Sequence, residues 1–129
     1  MDWKLELIAL PVADVDRAIS FYVDQLGWHL DHDHTVNDDL RFVQVTGPGS
    51  ACSIAIGKGL IEGDHAPIRT LQVVVGDIEA AHSFLTERGV DVSPIDDTPW
   101  GSFVHFQDPD GNAWAVQQVV PRGAGTGAA

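Results

Sequence analysis

The sequence predicts an α+β fold made of two copies of one β-α-β-β-β module. Three observations predict it. A segment near the start recurs about sixty residues later: Val12, Asp14, Ala18, Phe21 and Gly27 are matched by Val75, Asp77, Ala81, Phe84 and Gly89, with one residue of slip at the glycine. Short apolar-alternating stretches follow each copy, separated by strong turn signals. The length, 129 residues, suits one compact domain rather than two independent ones. A repeat of this kind fixes the architecture before any element is assigned.

The elements follow in order. Leu5 to Val12 is apolar on both faces and reads as a strand. Asp14 caps a helix over Val15 to Leu26, where Val15, Ala18, Ile19, Tyr22 and Leu26 share one face and Gly27 is the stop. Trp28 to Val36, Leu40 to Thr46 and Ala51 to Gly57 are strands, divided by the turns Asn37 to Asp39 and Gly47 to Ser50. Lys58 to Pro67 is a connector. Ile68 to Val75 is the next strand, and Asp77 caps a helix over Ile78 to Glu87 that stops at Gly89. Val90 to Ile95, Ser102 to Gln107 and Ala113 to Val120 are the last strands, with a loop at Thr98 to Gly101. Asp108-Pro109-Asp110-Gly111-Asn112 has the residues a tight turn demands, so its carboxylates read as structure. The chain is therefore one domain over residues 1–120, with modules at 5–57 and 68–120. Residues 121–129, rich in Gly and Ala, are expected to be a disordered tail.

Charge and cysteine content narrow the partners. Nineteen acidic residues face seven basic ones, for a formal charge of -12. Phosphate binding needs clustered Lys and Arg, so no nucleic-acid partner is expected, nor an anionic membrane surface. A single cysteine, Cys52, forms no intrachain disulfide. The first ten residues include Asp2, Lys4 and Glu6 and lack a signal-peptide core, and no stretch is long and apolar enough to span a bilayer. The expected compartment is the cytoplasm.

The residues Leu10-Pro11-Val12-Ala13-Asp14, Ala18, Phe21-Tyr22 and Leu26-Gly27 resemble the vicinal oxygen chelate superfamily, as do Val75-Gly76-Asp77-Ile78, Trp100-Gly101, Phe106 and Asp108 to Asn112. That superfamily contains glyoxalase I, the extradiol dioxygenases and the bleomycin-resistance proteins. The resemblance covers nearly all of residues 5 to 120. It implies that the two modules pair into an incomplete barrel, a cup with helices outside, and that the protein is a homodimer. It also implies where a divalent cation would be held in the metal-dependent members. A His or Gln lies five residues before the motif Val, which here gives Leu7 and Thr70. A Glu lies seven residues after the first Asp of the turn, which gives Ala115. The remaining position is Ser53 or Ala55. None of these is His, Gln, Asp or Glu. A hard divalent cation needs imidazole or carboxylate donors, so no metal and no other cofactor is expected at the usual place.

Strand alternation then assigns the residues facing the cup. The ligand-binding candidates are His32, His34, Phe42, Gln44, Ser53, Thr70, Gln72, Trp100, Phe103, His105, Ala115 and Gln117. Leu5, Leu7, Ala9, Val74 and Ala113 share those faces. Val43, Val45, Ile54, Ile56, Leu71, Val73, Val75, Trp114 and Val116 fall on the opposite faces and suit packing beneath the helices. Asp31 and Asp33 alternate with His32 and His34, which places both carboxylates on the face away from the cup. The cup lining combines rings with a few neutral hydrogen-bonding groups, which suits a small hydrophobic or aromatic organic ligand.

Three functions compete. The first is a metal-free binding protein of the antibiotic-resistance type, which holds its ligand without turning it over. No catalytic residue is assigned on this reading. The second is a metal-dependent lyase, isomerase or dioxygenase with relocated ligands, for which His32, His34 and His105 are the candidate nitrogens. The third is a metal-free enzyme that moves a proton with His105 or the His32/His34 pair.

Overall fold

The computed structural model describes residues 1–123. They form two units, residues 1–68 with 108–110, and residues 69–107 with those from 111 onward. The first carries β1 (Leu7–Ala9), α1 (Val15–Ile19), β2 (His29–Asn37), β3 (Leu40–Thr46) and β4 (Ser53–Ala55). The second carries β5 (Leu71–Val74), α2 (Ile78–Glu87), β6 (Asp96–Thr98), β7 (Gly101–Gln107) and β8 (Ala113–Gln118). Each is a four-stranded mixed sheet of the same topology, β1-β4-β3-β2 and β5-β8-β7-β6. In both, the first strand runs parallel to the last and the other pairings are antiparallel. The α+β class and the repeated module are as the sequence indicates.

The helix caps explain why the repeat begins where it does. Asp14 Oδ1 accepts from the Arg17 N–H at 3.1 Å. Asp77 Oδ1 accepts from the N–H groups of Glu79 and Ala80 at 3.0 and 3.1 Å. Each satisfies donors that a helix start leaves open. The two helices then diverge. α2 is regular, whereas α1 passes at Ser20 into a π-helix over Ser20–Gln25. Leu26 N–H reaches back to Phe21 O at 3.0 Å and Trp28 N–H to Tyr22 O at 2.9 Å. The wider turn accompanies full burial of Tyr22, whose hydroxyl donates to Asp108 Oδ2 at 2.7 Å. Gly27, at φ 72°, then ends the helix in a conformation that suits glycine.

The turn at 108–110 locks the start of α1. Asp110 Oδ1 accepts from Ala13 N–H at 2.8 Å and from Arg17 Nη2 at 2.9 Å. Both carboxylates of that turn are thus structural, as its composition indicates.

Each sheet keeps its apolar side buried. Val43, Val45, Ile54 and Ile56 are buried in the first unit, as are Ala18, Phe21, Tyr22 and Leu26. In the second, Leu71, Val104, Phe106, Trp114 and Val116 are buried, with Ile78 and Leu85 of α2. The Phe106 and Trp114 rings lie nearly parallel at 6.2 Å. Helices this short do not persist alone in water. Burial worth about 1.5–3 kcal/mol for each large apolar side chain holds them.

Two expectations are corrected. Val90 to Ile95 is not a strand. Pro94 has no N–H for a ladder, and regular pairing starts only beyond it, at Asp96↔Phe103. Ahead of Pro94, Ser93 meets His105 of β7: its N–H donates to His105 O at 2.9 Å and its Oγ accepts from His105 N–H at 2.8 Å. The outer strands are also shorter than their apolar runs, Leu7–Ala9 rather than Leu5 to Val12 and Leu71–Val74 rather than Ile68 to Val75. Of the expected tail, residues 124–129 lie outside the described residues. Arg122 is tied by Nε to Asp97 at 3.1 Å and by Nη1 to Glu79 at 2.9 Å.

A matching clamp stands in the first unit. Arg41 reaches both oxygens of Asp33 and one of Asp16, each at 2.9 Å. The fork of donors from Arg41 holds the Asp33 carboxyl below its usual range. The stabilisation is therefore complete above the ordinary carboxylate pKa of about 4 and is lost as pH falls through the lowered value. Because the pair is partly exposed, it contributes about 0.5–1 kcal/mol. Arg41→Met should cost that much in urea unfolding at pH 7 and progressively less as pH falls below the ordinary carboxylate range. An equal cost at every pH would mean that packing of the arginine stem, not charge, is responsible.

Candidate functional site

The open face of the first sheet can be read row by row from its register. Leu7, Ser53, Thr46 and His29 form one row, Ala9, Ala55, Gln44 and His32 the next, and Phe42 with His34 a third. Of the expected site residues, His32, His34, Phe42, Gln44 and Ser53 thus share this face. His32 and His34 are exposed, Phe42 and Gln44 half-buried and Ser53 buried. The His32 and Phe42 rings lie 6.5 Å apart.

The second sheet gives a matching grid. Gln72, Ala115 and His105 form one row, and Val74, Gln117, Phe103 and Asp96 the next. The Gln72 side chain donates to Gln117 Oε1 at 2.6 Å, and Gln117 Nε2 donates to the carbonyl of Trp100 at 2.9 Å. The Phe103 and His105 rings stack at 6.2 Å and 11°. A cavity of about 870 Å³ opens in this unit, lined by Thr70, Gln72, His105 and Ala115 among others. Ser93, Asp91 and Arg69 also line it. Those three were not among the candidates: Arg69 alternates with Thr70 and Gln72 and so falls on the opposite face in sequence, and no residue of Val90 to Ile95 was assigned to the cup. Trp100 stands apart from the cavity lining, in the β6–β7 turn, and is 69% exposed.

One assignment on the first sheet is overturned. β2 carries a bulge between Leu30 and His32. A bulge inserts one residue and re-aims the side chain there. Asp31 therefore comes to the same side as Thr46 and Ser53, while Asp33 stays on the helix side with Arg41. A directed chain of hydrogen bonds results. Gln44 Nε2 donates to Ser53 Oγ at 3.2 Å, Ser53 Oγ lies 2.6 Å from Thr46 Oγ1, and Thr46 donates to Asp31 Oδ2. With the Thr46 proton committed to the carboxylate, the Ser53 proton points to Thr46. Sequence alternation alone carries no signal for this rearrangement.

The register also bears on the positions that the resemblance implies for a cation. Ala9↔Ala55 in the first sheet corresponds to Gln72↔Ala115 in the second. Ala55, not Ser53, is thus the counterpart of Ala115. Leu7, Ala55 and Ala115 carry no lone pair, and the hydroxyl of Thr70 is a poor ligand for a hard ion. The donor set does not fit the metal of the chelating members. Among the described residues, no group of three or more His, Cys, Asp or Glu is placed to hold a metal ion. His32 and His34 belong to the first unit and His105 to the second. Nor is any helix of the described residues long and apolar enough to cross a membrane.

Comparison with known proteins places this geometry. TnmS3, an antibiotic binding protein from Streptomyces sp. CB03234, is 31% identical in sequence, with a TM-score of 0.81 over 92% of this chain and 97% of that one. A glyoxalase/bleomycin resistance protein from the same organism is 32% identical, with a TM-score of 0.77 over 89% of this chain and all of that one. A superfamily member from Sphaerobacter thermophilus DSM 20745 is 30% identical, with a TM-score of 0.79 over 91% and 98%. The family model named Glyoxalase/Bleomycin resistance protein/Dioxygenase superfamily matches residues 4–116. With that model covering most of its length, the chain belongs to the Glyoxalase/Bleomycin resistance protein/Dioxygenase superfamily.

Proposed function

We propose that this protein is a metal-free small-molecule-binding protein of the glyoxalase/bleomycin-resistance type, which holds a hydrophobic or aromatic ligand against its open sheet faces without turning it over. One observation carries the reading. The two modules are both present, yet the positions that the resemblance implies for electron-pair donors hold Leu7, Ala55 and Ala115, whose pairing puts Ala55 and Ala115 in equivalent places. What those faces offer instead is rings and neutral amides: Phe42, Phe103, Gln44, Gln72 and Gln117. Such a lining holds a flat organic molecule by contact and orients it with a few hydrogen bonds. The similarity to an antibiotic binding protein supports the same class of ligand.

The working form is a homodimer in the cytoplasm. Leu7 at 38% and Val74 at 63% exposure are apolar side chains on the open faces, and a second copy would shield them from water. A thermal-shift screen of aromatic metabolites and antibiotics, followed by calorimetry, tests the reading. Phe103→Ala should weaken binding of the resulting ligand by about 1–3 kcal/mol through loss of ring contact. Unchanged affinity would remove the second sheet face from the site.

A further inference from the structure

We infer that Asp31, turned onto the open face by the β2 bulge, is the residue that selects ligands bearing a primary amine and rejects anions. The inference rests on the binding reading above and adds the polar half of its specificity.

The geometry is asymmetric in what it can offer a guest. An ionised carboxylate only accepts. Asp31 Oδ2 is taken by Thr46. Oδ1 has His29 Nε2 nearby at 3.6 Å, beyond hydrogen-bond range. The protons of the neighbouring hydroxyls are already directed toward Asp31, from Gln44 through Ser53 and Thr46. A ligand acceptor approaching this row finds those hydroxyl protons engaged, whereas a ligand donor finds a carboxylate oxygen. An ammonium group gains a charge-assisted bond there, roughly twice as strong as a neutral one.

The surroundings favour the same charge. Asp31 is about one-quarter exposed on its side chain, so a guest reaches it without full burial of the pair. Asp33, the neighbouring carboxylate on β2, is neutralised by Arg41 on the other side of the sheet. The groups sharing the open face with Asp31 on β2 are His29, His32 and His34, and Arg41 does not reach it. A chain of net charge -12 also draws cations toward itself. Phe42 lies four residues from Thr46 on the same face, about 14 Å along β3, so a guest with its amine on Asp31 extends its ring system along β3 in the direction of Phe42.

Three matched probes test this: 1-naphthylmethylamine, 1-naphthalenemethanol and 1-naphthoate, titrated at low ionic strength with tryptophan fluorescence as readout. The wild type should bind the amine about tenfold more tightly than the alcohol, and the acid most weakly. Asp31→Asn, which keeps the shape, should bring amine and alcohol within about twofold, chiefly by weakening the amine. Asp31→Glu, checked for folding by circular dichroism, should retain part of the preference. Equal binding of amine and alcohol by the wild type, or a preference that survives in Asp31→Asn, overturns the role of Asp31 and leaves the binding reading standing. Failure of all three probes to bind overturns both.

Discussion

Asp108→Ala is expected to lower the unfolding free energy by about 2–4 kcal/mol, more than any surface change. The carboxylate is buried, and its two oxygens serve different partners: Oδ2 accepts from the Tyr22 hydroxyl at 2.7 Å and Oδ1 from Asp110 N–H at 2.9 Å. Tyr22 is fully buried beneath the π-helical turn. Removing Asp108 takes away an acceptor of a fully buried phenol hydroxyl, and a buried polar group that loses a hydrogen bond is costly. Tyr22→Phe removes the donor instead and should cost about 1.5–3 kcal/mol. Urea unfolding monitored by circular dichroism measures both. Because the two residues share one bond, the double variant should cost less than the sum of the singles. Strict additivity would show that they act separately.

The second large effect is a gain. The variant Thr70→His/Ala115→Glu should bind nickel or cobalt with a Kd of about 1–10 μM, where the parent binds neither at about 100 μM. The register gives the reason. Ala115 lies directly opposite His105, so a Glu there stands about 5 Å from the imidazole at Cβ. Thr70 precedes β5 by one residue and lies diagonally from Ala115. Two new donors and one native nitrogen then occupy one side of one sheet. Cobalt visible absorption reports tetrahedral ligation directly. A folded variant with no cobalt band would mean that position 115 or position 70 does not face the side the register assigns. Reverting with His105→Ala should abolish the band.

The features legible in the sequence are those set by local rules. Asp14 and Asp77 cap their helices because a short acceptor before an apolar period has one good use. β3 and α2 run over the residues their patterns mark, since alternation in one and helical spacing in the other are uninterrupted. The buried faces came from the same alternation: Val43, Val45, Ile54 and Ile56 are all in the core. What was not legible depends on interruptions. The bulge at Asp31 shifts register by one residue, and no residue type there announces it. It turned a carboxylate assigned to the helix side onto the open face. The π-helical turn at Ser20–Gln25 accompanies the seat that Tyr22 finds on Asp108, eighty-six residues away in sequence. The loss of a strand over Val90 to Ile95 reflects Pro94, whose effect on pairing outweighs the β-forming residues before it. Among the candidate site residues, the register puts His32, His34, Phe42 and Gln44 on one side of the first sheet and Gln72, Phe103, His105, Ala115 and Gln117 on one side of the second, while Thr70 precedes β5. Trp100, taken as a candidate for its ring in the Thr98 to Gly101 loop, is 69% exposed, and its carbonyl accepts from Gln117 Nε2.

The proposal that guests are held without a metal is open to one direct measurement. The Kd of 1-naphthalenemethanol should be the same, within about twofold, before and after exhaustive chelation, with substoichiometric metal by elemental analysis throughout. Binding that disappears with one equivalent of divalent metal and returns when the metal is restored would contradict it.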